Sequence, residues 1–231
     1  MRKHLKQGHL FRYGIAALRG KAITGILCVL MPFAAMAQDL RILALGDSLT
    51  QGYGLIEQNG FVPQLDAWLE AQGAEVAVIN GGVSGDTSAG GAARVDWSLT
   101  PDVDAMIVTL GGNDLLRGID PSVTRDNIET ILNAAQEKSV AVLLVGMQAP
   151  GNYGPEYKQA FDRIYPELAE AYGALYAESF FEGLGTPDPA QARDYFQDDG
   201  IHPNSEGVAK IVEGLGPKVL ELIDRAEGPG A

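Results

Sequence analysis

Five short, nearly unbroken apolar runs set the tightest limit on what this chain can fold into. They are RILAL (41–45), VAVIN (76–80), AMIVTL (105–110), VAVLLVG (140–146) and ALYAES (174–179). None alternates apolar with polar residues, as a half-exposed strand would. Runs of this kind fit strands covered on both faces, which is the situation in a parallel sheet. The segments between them have helical spacing. Residues 121–138 put Ile128, Ile131, Leu132 and Ala135 on one face, with Asp120 able to cap and Pro121 at the first helical position. Residues 155–171 carry Phe161, Ile164, Tyr165 and Leu168 at the same spacing, and Pro166 is expected to kink or split that helix. A last helical region, 204–226, is expected to be interrupted at Gly214-Leu215-Gly216-Pro217. Strand–helix alternation through one chain predicts a doubly wound α/β domain. In such domains the chemistry sits at the carboxyl ends of the strands.

The chain has 231 residues, 46% apolar and 20% charged, enough for one domain with a full core. Its first 37 residues differ from the rest. Six basic residues and no acid precede the apolar run AITGILCVLMPFAAMA, which ends in Ala35-Met36-Ala37. This order predicts a secretory signal peptide over 1–37 and a single domain over 38–231. An uncleaved anchor is the alternative, disfavoured because the run is short and holds Pro32. Export to the periplasm or the exterior is expected, with no integral membrane segment after cleavage. Residues 38–231 then carry 11 basic and 30 acidic side chains, a formal charge of −19. That charge repels phosphate backbones, so nucleic acid is not an expected partner. Cys28, His4 and His9 all fall before residue 38. Thiolate chemistry and multi-histidine zinc sites are excluded with them, and His202 is left alone.

The strand ends carry the remaining signal. The first strand runs into LGDSLTQGYG, which puts Ser48 in a turn. A helix-capping serine is the ordinary reading of that position. Neither the dinucleotide nor the phosphate-loop glycine pattern fits here, and Thr50 breaks the G-x-S-x-G elbow. The second strand ends in NGGVSGDTSAGG and the third in TLGGNDLLRG. Glycines there allow backbone N–H groups to approach a ligand, and the Asn113 amide can donate to a negative oxygen. Taken alone, a flexible turn is the better reading of the second stretch, and an Asn-Asp turn explains the third equally well. DDGIHPN (198–204) supplies what a serine nucleophile needs. Histidine can take the hydroxyl proton, and a carboxylate three residues earlier can orient the imidazole. Four strand-end coincidences are required for all of these features to be ordinary turns and caps.

Taken together, the four stretches resemble the blocks of the SGNH, or GDSL, hydrolase family, in the family's order. LGDSLTQGYG resembles the first, NGGVSGDTS the second, LGGNDLLRG the third and DGIHPNSEG the last. VSGDTS and APGNYG further resemble the branch of acyl-CoA thioesterase I/lysophospholipase L1 and bacterial arylesterases. The resemblance implies an α/β, flavodoxin-like three-layer sandwich with about five parallel strands. It implies a catalytic triad of Ser48, Asp199 and His202. It assigns the oxyanion hole to the Ser48 and Gly85 N–H groups and the Asn113 side chain. Gly82 is a lesser candidate for a close-approach position. Asp47 and Asp114 are read as structural hydrogen-bonding residues. The implied substrate is a small-molecule or lipid acyl ester or thioester, with no metal or organic cofactor. Met147, Tyr153 and Tyr157 are candidates to line an acyl pocket, or else to pack the loop they sit in. Carbohydrate acetyl esterases, a noncatalytic α/β binding protein and a metal phosphoesterase are the alternatives.

Overall fold

The computed structural model describes residues 40–185 and 191–228. The segment expected to direct export, 1–37, lies outside the described residues. Five parallel strands form one sheet: β1 (Leu40–Gly46), β2 (Val76–Gly82), β3 (Ala105–Thr109), β4 (Ala141–Val145) and β5 (Leu175–Ala177). Their order is β2-β1-β3-β4-β5. All five lie on the apolar runs, with ends shifted by one or two residues. Ile42, Leu45, Ala105, Met106, Val108, Leu143 and Leu144 are sealed from solvent, as both faces of the sheet are covered.

The helices are α1 (Ser48–Gln51), α2 (Phe61–Ala71), α3 (Ser88–Ser98), α4 (Gly112–Leu116), α5 (Pro121–Glu137), α6 (Pro155–Asp162), α7 (Ile164–Tyr172) and α8 (Ser205–Glu227). α2 packs with α8, while α3 packs with α5 and α5 with α7. Right-handed crossovers that run one way from β1 to β2 and the other way from β2 through to β5 put these two groups on opposite faces, giving three layers in the flavodoxin-like strand order. The strand order reverses between β1 and β3. Gly46 lies in register with both Gly82 and Thr109, so three strands end abreast.

Two helical expectations meet different fates. The 155–171 segment does split, with α6 ending at Asp162 and α7 starting at Ile164. Pro166 has no N–H to offer the Asp162 carbonyl and its ring crowds that carbonyl, so the break falls one turn upstream of the proline. The expected interruption in the last region is corrected: α8 runs unbroken for 23 residues with Pro217 inside it. A proline there costs about 3 kcal/mol. Val208, Ile211, Val212, Leu215, Val219, Leu222 and Ile223 are buried along one face. At roughly 1.5–3 kcal/mol for each buried side chain, that face outweighs the proline. The glycines are contact points: a β-carbon on Gly214 would stand 2.6 Å from the Cα of Gly183.

One buried bond ties this framework to the mouth of the sheet. The Tyr165 hydroxyl, on α7, donates to the Leu110 carbonyl at 2.9 Å, just beyond β3. Tyr165 is 1% exposed. Replacing Tyr165 with Phe leaves that carbonyl without its donor. The variant is expected to lose about 1–2 kcal/mol of unfolding free energy in urea titration.

Candidate active site

The turn after β1 begins with a cap. Asp47 precedes α1, and its Oδ1 accepts from the Leu49 N–H at 3.0 Å. Ser48 is therefore the first residue of a one-turn helix at the mouth of the sheet, 8% exposed. Its Oγ lies 2.9 Å from Nε2 of His202. On the far side of the ring, Nδ1 lies 2.7 Å from Oδ2 of Asp199. A proton on Nδ1 donates to the carboxylate and leaves Nε2 as an acceptor for the Ser48 hydroxyl. Ser48, His202 and Asp199 are thus brought into one hydrogen-bonded row.

The DDGIHPN stretch is built to hold that histidine. Asp199 Oδ1 accepts from the N–H groups of Ile201 (2.9 Å) and His202 (3.0 Å), folding the segment back on its own carboxylate. The His202 backbone and ring, followed by the Ile201 N–H, hold the Asp199 carboxyl down to about 2. Gln197 N–H donates to the His202 carbonyl at 2.8 Å. Asn204 then caps α8 by accepting from Gly207 N–H at 3.0 Å. Two partners come from the Ser48 side. The amide of Gln197 donates to the Tyr53 carbonyl at 2.8 Å, and the Tyr53 ring lies 4.6 Å from that of His202. Neither Gln197 nor Tyr53 stood out in the sequence, and no local pattern marks a bond across 144 residues.

Asn113 is the second residue of α4. Its Nδ2 donates to Oδ2 of Asp47 at 3.1 Å, which leaves one amide hydrogen for another acceptor. Asp47 is 2% exposed. Burial pushes its carboxyl up to about 6, against the Leu49 and Asn113 hydrogen bonds and the nearby His202. Asp114 faces the other way, accepting from the Ser88 N–H (2.8 Å), the Ser88 hydroxyl and the Thr124 hydroxyl. Both aspartates hold hydrogen bonds between elements, as the sequence suggests. Gly82 is a close-approach position: a β-carbon there would stand 2.7 Å from the Gln51 Cα and 2.9 Å from the Asp47 carbonyl. Gly85 has φ +80 and sits third in a turn closed by Asp86 N–H to the Val83 carbonyl at 3.0 Å. A positive φ at that place defines a type II turn, which glycine makes at no steric cost.

The three candidate pocket residues separate. Met147 is 7% exposed, with its Cε 4.0 Å from where a Gly112 β-carbon would stand, so it borders the turn that carries Asn113. Tyr157 donates to the Ile119 carbonyl at 2.9 Å, and the Tyr153 hydroxyl reaches the Leu116 carbonyl at 3.5 Å. Their rings are 4.9 Å apart. The hydroxyls of both tyrosines brace the loop after α4.

A serine, a histidine and a carboxylate in one row at the mouth of a doubly wound sheet define the serine-hydrolase class. Comparison with known proteins gives the family. Residues 44–210 match the model of the GDSL-like lipase/acylhydrolase family. Esterase TesA of Pseudomonas aeruginosa is 36% identical over 208 residues, covering 89% of this chain and 100% of TesA. Thioesterase 1/protease 1/lysophospholipase L1 of Escherichia coli K12 is 33% identical over 201 residues, 86% of this chain and 92% of that protein. Among solved structures, the SGNH-hydrolase family esterase AlinE4 is 39% identical with a TM-score of 0.66, covering 82% of this chain and 100% of AlinE4. This chain belongs to the GDSL-like lipase/acylhydrolase family, the SGNH hydrolases.

The two site aspartates differ in how they meet acid. Folded Asp47 keeps its proton up to about 6 against an ordinary 3.8, so the folded chain binds that proton more tightly than the unfolded chain. This group's contribution therefore falls by about 3 kcal/mol as pH rises from below 4 to above 6. Asp47→Asn, which has no proton to lose, is expected to lack that part of the pH slope. Urea titrations of both chains across the window check this, and parallel curves would contradict the burial effect.

Proposed function

We propose that this chain is an exported serine esterase that hydrolyses carboxylic ester or thioester bonds of apolar acyl substrates. The observation that carries the reading is the row Ser48 Oγ, His202 Nε2, His202 Nδ1 and Asp199 Oδ2, with gaps of 2.9 and 2.7 Å across the imidazole. His202 takes the Ser48 proton as Oγ attacks the carbonyl carbon. The imidazolium that forms is steadied by Asp199, which stays ionised across the working pH range. Negative charge then develops on the carbonyl oxygen. The N–H groups of Ser48 and Gly85 and the second amide hydrogen of Asn113 hold it. Each donor of this kind is worth roughly 3–4 kcal/mol of barrier. His202 returns the proton to the leaving alcohol or thiol, and water repeats the sequence on the acyl-enzyme.

Support for an apolar substrate comes from the rim. Tyr53, Ile56, Val83, Leu116, Tyr153 and Ile201 are six of the eight large apolar side chains exposed among the described residues. All six lie on the segments that follow the strands' carboxyl ends or flank His202. A sugar ester asks for polar side chains there, so acyl or aryl esters are favoured over acetylated carbohydrates. The names of the relatives, esterase and thioesterase 1/lysophospholipase L1, agree with this choice. Export rests on the composition of residues 1–37. Among the described residues, no helix is long and apolar enough to cross a membrane.

Residues 38–231, assayed on p-nitrophenyl esters from acetyl to palmitoyl, are expected to be active with a preference for chains longer than acetyl. Ser48→Ala and His202→Ala are each expected to lower kcat by roughly 10⁶-fold with the fold intact. Asp199→Asn is expected to cost about 10⁴-fold by disturbing the imidazole tautomer. Hydrolysis surviving in Ser48→Ala would overturn the nucleophile assignment. Sole activity on acetylated sugars would favour the carbohydrate reading.

A further inference from the structure

Arg117 is the last residue but one of the LGGNDLLRG block, and it lies exposed, outside the core. It follows α4 directly, and its N–H bonds back to the carbonyls of Asn113 and Asp114, each at 3.2 Å. The root of the side chain is thus fixed to the helix that carries Asn113. Its Nη2 donates to the Gly85 carbonyl at 2.8 Å. The guanidinium is in no ion pair among the described residues, unlike Arg41, Arg94, Arg125 and Lys158.

The turn it reaches needs such a hold. Val83 is tied to β1 through its N–H and the Gly46 carbonyl at 3.0 Å, and Asp86 is tied to Arg94 at 2.8 Å. Between them, Arg117 supplies the one hydrogen bond that reaches Ser84 or Gly85 among the described residues. Type I and type II turns keep the same closing bond and differ by a half-rotation of the central peptide. Here that peptide is Ser84–Gly85, and the half-rotation reverses the Gly85 N–H. Glycine tolerates either sign of φ, so its own backbone does not choose. With φ +80 the Ser84 carbonyl lies on the side where a β-carbon would stand, and the N–H points away from it. Beyond the turn itself, the nearest atom to a β-carbon on Gly85 would be Arg117 Nη2, at 3.9 Å. The guanidinium therefore favours a carbonyl on its side and opposes the rotated peptide, whose N–H would face a cation.

We propose that Arg117 is a positioning residue: by holding the Gly85 carbonyl beside the Asn113 helix, it keeps the Gly85 N–H aimed at the oxyanion. The proposal rests on reading Gly85 and Asn113 as oxyanion donors. The test compares Arg117→Ala, Arg117→Lys and Gly85→Ala on p-nitrophenyl butyrate, a neutral substrate. Arg117→Ala is expected to lower kcat about tenfold, with KM and melting temperature unchanged. Millimolar guanidinium should restore part of that loss, and Arg117→Lys should retain more activity than the alanine variant. Gly85→Ala, strained at positive φ, should lose more than either. Full kcat in Arg117→Ala beside a crippled Gly85→Ala would overturn the role of Arg117 and leave the oxyanion reading standing. Full activity in Gly85→Ala would remove the oxyanion reading and the proposal with it. A loss confined to KM, or one that tracks a falling melting temperature, would also overturn it.

Discussion

The site depends on one feature of backbone register. In this sheet Gly82, Gly46 and Thr109 stand side by side at the ends of β2, β1 and β3. Three loops therefore leave the sheet at one level, and residues far apart in the chain meet within hydrogen-bond range. A parallel pair slipped by one residue would exchange the side chains of its two faces and break the close packing on both. Close packing on both faces, which makes any slip costly, is what holds the turns after β1, β2 and β3 at one level. Chemistry at the mouth of the sheet is a consequence of packing in its middle.

Two carboxylates at that mouth are driven in opposite directions by their surroundings. Asp199 is half-exposed and receives several hydrogen bonds, so it stays ionised down to about 2. Asp47 is buried, and burial lifts it to about 6 although two donors oppose that rise. The first suits a group that must remain negative beside an imidazolium. The second suits a hinge pin: one oxygen caps the helix that begins at Ser48 and the other holds the Asn113 amide. Removing the cap and releasing the amide are thus one event rather than two.

Much of this was legible in the chain. The strands could be read because burial on both faces leaves no alternation to confuse them. The first three blocks could be read because each follows a strand and pairs a turn residue with a polar one; the fourth could be read because it sets an aspartate and the lone histidine ahead of the last helix. The unbroken α8 was not legible. Gly214 and Gly216 look like a stop until Gly183 and Trp68, distant in sequence, fill the space against them. Pro166 announced a break but not its place, since the clash falls on the carbonyl four residues earlier. The bonds of Gln197 to Tyr53 and Arg117 to Gly85 left no trace at all. They join a long polar side chain to a backbone carbonyl, and a carbonyl is present at every position.

Ser48 and His202 are 154 residues apart. Ser48 lies near the start of the described residues, and His202 lies just before the last helix. Closing so long a loop carries an entropic cost that only the finished sheet and α8 repay. A chain truncated before His202 holds a serine with no imidazole beside it. Hydrolytic competence therefore arrives last, as a property of the completed molecule.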